Sequence, residues 1–165
     1  MKRWICLLML AAVLVAATAA SAAQPAPGFT LPTILGGSLS LTSLKGKVVV
    51  LNFFRGQCPY CVQEVPDLNG INQQLGPRGV AVVGMGLGST DSLKSFAGYY
   101  KVAYPVVVVS EGVRQAYSDV PGTMGLRGVP TTVIVGPDGQ VAKAFVGRVP
   151  KGDLEAAIQP LLPKK

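Results

Sequence analysis

The feature that most narrows what this chain can become is a strand that runs into a helix. Residues 47–54 read Lys-Val-Val-Val-Leu-Asn-Phe-Phe, β-branched and aromatic enough for a strand buried on both faces. After three intervening residues, Cys58-Pro59-Tyr60-Cys61 opens a stretch with Val62, Val65, Leu68, Ile71 and Leu75 at helical spacing. Pro59 suits a first helical position, where its missing N–H would have had no partner. Pro66 falls inside the pattern and predicts a kink. A buried strand joined to a helix in this way is the opening of a parallel-sheet unit.

The rest of the chain extends that unit. Phe29-Thr30-Leu31 and Ser38-Leu39-Ser40-Leu41 alternate around Gly36-Gly37, which predicts a hairpin after a Pro/Ala-rich lead-in at 24–28. Residues 79–87 predict a second buried strand, 91–101 a helix with Leu93, Phe96 and Tyr100 on one face, 104–109 a third strand and 111–117 a short helix. Residues 131–135 and 140–146 flank Gly136-Pro137-Asp138-Gly139, the strongest hairpin signal in the chain, and 151–162 predict a closing helix. The order gives an α/β protein with a mixed, mostly parallel sheet and helices on both faces.

Composition limits the chemistry. The 165 residues contain no histidine and three cysteines, with a formal net charge of +7. A Ser-His-Asp or Cys-His nucleophile, a His-ligated metal and a His acid–base pair are all excluded. Three cysteines are too few for a disulfide scaffold or a four-thiolate zinc site. Lys2 and Arg3, an apolar stretch from Trp4 to about Ala17, and the small-residue run 18–23 form the three-part pattern of a secretory signal. Ala20-Ser21-Ala22 fits cleavage after Ala22, and Ser21-Ala22-Ala23 allows it after Ala23. The expected division is a signal peptide at 1–22 and one domain at 23–165, exported to an extracytoplasmic space such as the periplasm. If the segment stays uncleaved, it becomes a membrane anchor. Cleavage removes Cys6, Lys2 and Arg3, leaving Cys58 and Cys61 on a domain of charge +5. The remaining basic residues are scattered, and no stripe points to nucleic acid.

The cysteine pair carries the chemistry. Cys58 falls at a helix N-terminus, where unpaired N–H groups and the helix dipole favour a thiolate. Cys61 lies about one turn on, close enough to close a small disulfide ring. This arrangement suits thiol–disulfide exchange, in which Cys58 attacks a partner's disulfide and Cys61 resolves the mixed disulfide. A purely structural disulfide over so short a loop would constrain the unfolded chain little.

The mature chain resembles the thioredoxin superfamily, and within it the exported TlpA/ResA-like, AhpC/TSA-related thiol–disulfide oxidoreductases. The resemblance rests on Phe29-Thr30-Leu31-Pro32, the stretch 44–54, Cys58-Pro59-Tyr60-Cys61, Glu64-Val65-Pro66, the stretch 79–84, Tyr104-Pro105-Val106 and Gly128-Val129-Pro130-Thr131-Thr132. It implies a thioredoxin fold: a central mixed sheet flanked by helices, with an N-terminal hairpin and a central βα insertion. It implies that Pro130 is cis and faces the cysteines, with the Val129 backbone and the motif's Pro59 and Tyr60 meeting substrate. Glu64 matches an acid that tunes or accepts the cysteine protons. No cofactor is implied beyond the redox-active Cys58–Cys61 pair. The implied partners are disulfide-containing proteins, as in cytochrome c or copper-centre assembly, and a membrane thiol electron donor, with the chain itself a monomer. Three departures stand out: Gln57 replaces the usual Trp before the first cysteine, Asn52 stands where thioredoxin has its buried acid, and 118–123 looks like extra loop, either bordering the active face and shaping partner choice or simply tolerated as a surface insertion.

Two other functions use the same pair. A peroxiredoxin-like peroxidase shares features of Phe53-Phe54-Arg55-Gly56, but the Pro and the Thr or Ser that such enzymes place seven and three residues before the reactive cysteine are here Leu51 and Arg55. A Cu(I) metallation chaperone would use the two soft thiolates directly.

Overall fold

The computed structural model describes residues 24–163. The signal-peptide expectation for 1–22 lies outside them. Among the described residues no helix is long and apolar enough to cross a membrane.

Strands β1 (Thr30–Pro32) and β2 (Ser38–Ser40) form the expected hairpin, a small antiparallel sheet of their own. Strand β3 (Val48–Phe54) leads into helix α1 (Pro59–Leu75), which runs unbroken through Pro66. Strand β4 (Val80–Gly86), helix α2 (Thr90–Tyr99), strand β5 (Val106–Val108) and helix α3 (Glu111–Ser118) follow. Strands β6 (Thr131–Val135) and β7 (Val141–Val146) make the second hairpin, and helix α4 (Lys151–Ile158) closes the fold. Serines cap α2 and α3: Ser89 accepts from the Ser92 N–H and Ser110 from the Val113 N–H.

The main sheet has the order β5-β4-β3-β6-β7, so β3 is its middle strand and is buried along its whole length. The β3–β4 and β4–β5 pairs are parallel, whereas β3–β6 and β6–β7 are antiparallel. The sheet is therefore evenly mixed rather than mostly parallel. After α3 the chain crosses back to the other side of β3 and enters β6 in the reverse direction, and a tight hairpin can only add another antiparallel strand.

Side chains alternate along β3 and so separate two cores. Val49, Leu51 and Phe53 pack with Tyr117 of α3, with Phe29 just before the first hairpin and with Leu31 of β1. The Phe53 and Tyr117 rings lie 5.2 Å apart, and the Tyr117 hydroxyl donates to the Pro27 carbonyl at 2.8 Å. On the opposite face, Val48 and Val50 pack under Leu68, Ile71 and Leu75 of α1 and Leu154 and Ile158 of α4. Further along that face, Phe54 joins both cysteines, Val65, and Leu93 and Phe96 of α2. Helix α2 comes this close because β4 ends in Gly86: a Cβ there would stand 2.5 Å from Leu93 Cδ1.

The segment 118–123 lies at the surface, with Asp119, Pro121 and Gly122 exposed, yet it is anchored from within. Val120 and Thr123 are buried, and the Thr123 hydroxyl faces three carbonyls, donating to that of Val120 at 2.7 Å. An apolar anchor and a satisfied hydroxyl tie the loop down beneath α3.

Candidate active site

The C-terminal end of β3 delivers the chain to the first turn of α1, as the spacing predicts. Cys58 is the N-cap with extended backbone angles, and Pro59 takes the first helical position. The Cys61 N–H donates to Cys58 Sγ at 3.1 Å, so sulfur fills the place usually taken by a Ser or Asp oxygen. The same donor favours negative charge on Cys58 when the pair is reduced. The two sulfurs are joined as a disulfide, with Cα atoms 5.2 Å apart.

Exposure distinguishes the two cysteines. Cys58 keeps 9% of its surface and Cys61 only 2%. Cys58 is thus the more accessible sulfur, on a rim where Tyr60 is 62% exposed and Pro59 is exposed as well. Opposite them, the Val129–Pro130 peptide is cis and the Val129 carbonyl oxygen lies 3.7 Å from Cys58 Sγ. The structure thus brings Cys58, Cys61, Pro59, Tyr60, Val129 and Pro130 together at the end of the sheet where β3 finishes and β6 begins.

Glu64 lies one turn beyond Cys61 and is fully buried, with no exposed surface. The Val149 N–H donates to Oε1 at 2.7 Å and the Asn52 amide donates to Oε2 at 2.9 Å. The second amide hydrogen of Asn52 goes to Thr132 Oγ1 at 3.0 Å. Register accounts for the last contact, because Asn52 and Thr132 are directly paired between β3 and β6 and share a face. Burial pushes the Glu64 pKa above the ordinary carboxylate value; the Val149 and Asn52 hydrogen bonds and the Arg148 charge pull against it, and Asp67 adds to the rise. Arg148 and Asp67 form an ion pair at 3.6 Å beside the acid. The Tyr104 hydroxyl is held from ionising by its own burial and, secondarily, by the Glu64 charge.

The chain between β7 and α4 supports two parts of this site. Gly147 has a left-handed φ of 86°, which turns the backbone inward at the end of β7. Its N–H donates to the Pro130 carbonyl at 2.8 Å, and two residues later the Val149 N–H reaches Glu64.

Sequence reasoning placed the cysteines, the Val129–Pro130 element and Glu64, but it missed Thr132 and the Val149 amide. It noted Asn52 only as a missing acid. A polar side chain inside the apolar run Val48–Phe54 was the available signal; a backbone donor 85 residues from its acceptor leaves none.

Comparison with known proteins gives the family and the fold. Residues 22–144 match the model of the AhpC/TSA family. The chain is 30% identical over 141 residues to the thiol-disulfide oxidoreductase ResA of Bacillus thuringiensis, covering 85% of this chain and 78% of the relative. It is 29% identical over 136 residues to the thioredoxin-like protein YneN of Bacillus subtilis, covering 80% and 75%. The crystal structure of a thioredoxin-family thiol:disulfide interchange protein from Chlorobium tepidum superposes with a TM-score of 0.77 at 28% identity, over 84% of this chain and 96% of that one. The chain belongs to the AhpC/TSA family, as a ResA-like thiol–disulfide oxidoreductase of the thioredoxin superfamily.

Proposed function

We propose that this ResA-like member of the AhpC/TSA family is an exported reductase of disulfides in particular partner proteins. The observation that carries the reading is the Cys58–Cys61 disulfide at the N-terminus of α1, with the Val129 carbonyl 3.7 Å from the more exposed sulfur. In the reduced protein, Cys58 thiolate attacks one sulfur of the partner's disulfide, and the partner's other sulfur leaves as thiolate. Glu64 takes the proton from Cys61, whose thiolate attacks Cys58 Sγ and expels the second partner sulfur. The partner ends as a dithiol and Cys58–Cys61 as a disulfide. Val129, Pro130, Pro59 and Tyr60 form the surface that receives the partner's cysteine segment. A membrane thiol donor then returns the pair to the dithiol state.

The sequence of residues 1–22 supports export, with 23–165 as the mature, monomeric domain outside the cytoplasm. The resemblance supports a substrate among proteins of cytochrome c or copper-centre assembly, and a reducing direction. Cys61→Ser tests the reading, since it lets the first attack proceed and blocks the second. Exported proteins held on Cys58 by a reducible bond, and lost from Cys58→Ser, are the expected result. A reduction potential near about −120 mV, typical of a strong oxidant, together with efficient oxidation of reduced proteins, would reverse the direction. Rapid peroxide turnover in stopped flow would favour the peroxidase instead, and tight one-to-one Cu(I) binding the chaperone.

A further inference from the structure

Glu64 sits in a cage made only of donors. Both its oxygens accept, from the Val149 N–H at 2.7 Å and the Asn52 amide at 2.9 Å. A carboxylate satisfies both donors, whereas a protonated acid would present an O–H to a site with no acceptor among these partners. Asn52 is 2% exposed and has no freedom to turn away, because its other amide hydrogen is held by Thr132 at 3.0 Å. In the apolar strand Val48–Phe54 the amide serves no packing purpose that Val or Leu would not serve as well.

We infer that Asn52 is a positioning residue for the redox reaction: its amide holds the Glu64 carboxylate ionised and in place one turn from Cys61, so that Asn52 governs, through Glu64, how Cys58 reactivity depends on pH. The inference rests on the reading of Glu64 as the group that takes the cysteine proton. The other charged or titratable groups around Glu64 are Arg148 and Asp67, paired at 3.6 Å, Tyr104 ahead of β5, and the two cysteines on α1. None of these donates a hydrogen bond to the carboxylate in place of Asn52.

The test is the rate of Cys58 alkylation by iodoacetamide in the fully reduced protein, followed across pH and assigned by peptide mass spectrometry. An ionised Glu64 opposes a thiolate nearby, so Glu64→Gln raises the rate below neutral pH, by about tenfold for one pH unit of displacement. Asn52→Ala leaves the buried carboxylate with one donor, favours its protonated form and moves the profile in the same direction by a smaller factor. On a Glu64→Gln background, Asn52→Ala has no further effect. Thr132→Val keeps its shape but releases the Asn52 amide; it gives a smaller change of the same sign and serves if Asn52→Ala does not fold. If Asn52→Ala and Thr132→Val both follow the wild-type profile while Glu64→Gln departs from it, the role of Asn52 is overturned. An equal displacement by Asn52→Ala on both backgrounds also overturns it, since that marks a general distortion. If Glu64→Gln itself follows the wild type, the proton role of Glu64 falls, and Asn52 with it.

Discussion

The two halves of α1 lie on the same face of the same strand and are buried in opposite ways. Toward its C-terminus, Leu68, Ile71 and Leu75 pack over Val48 and Val50, and the contact needs nothing but shape. Toward its N-terminus, Glu64 meets Asn52 two residues further along β3, and both cysteines meet Phe54. Water is excluded from both halves. In the first, its removal is the source of stability, at about 1.5–3 kcal/mol for a large aliphatic side chain. In the second, each polar atom removed from water requires a partner, and the partners arrive from β3, β6 and the β7–α4 segment. One helix is thus an anchor at one end and a reactive device at the other, and the change of kind occurs within a single turn, between Leu68 and Glu64.

Perturbing each half should give a different signature. The largest effect on stability is expected from the anchor: Leu68→Ala removes a side chain with no exposed surface and costs about 2–5 kcal/mol in urea unfolding. Once corrected for the folded fraction, it leaves the pH profile of Cys58 alkylation in place. A displaced profile would break the separation of the two halves. A smaller effect, with a pH signature, is expected from Glu64→Gln. The folded Glu64 holds its proton more tightly than the unfolded carboxyl, whose ordinary value is 4.5. The stability this group contributes is full below that value and is lost as pH rises through the higher, folded value. Wild type therefore loses stability relative to Glu64→Gln over that window, and urea midpoints that stay parallel with pH would contradict the burial of a titrating acid. The smallest effect belongs to the rim, where the Arg148–Asp67 pair is 3.6 Å long and partly exposed. Arg148→Ala should cost under about 1 kcal/mol, and less still in concentrated salt.

Much of the anchor and part of the device were legible in the sequence. The apolar spacing from Val62 to Leu75, the Gly36-Gly37 turn and the Pro-Asp-Gly turn at 137–139 encode local structure, and the structure has a helix and two hairpins there. The cysteine pair was legible because its chemistry depends on a local position, the first turn of a helix. The donors around Glu64 were not, because they come from residues 52 and 149, brought together only by the fold. The direction of β6 was also hidden, since the linking residues 119–130 carry no record of the side of β3 on which they emerge. Thr123 gives the same lesson: a threonine in a Pro/Gly-rich loop reads as surface until the carbonyls around it are seen.

Gly147 and Val149 offer one amide to the carbonyl of Pro130 and one to the carboxylate of Glu64. A pull on the loop facing the disulfide is therefore transmitted, within three residues of backbone, to the group beneath it. Sulfur recognition and proton handling stand on one short splint, and neither can be displaced without straining the other.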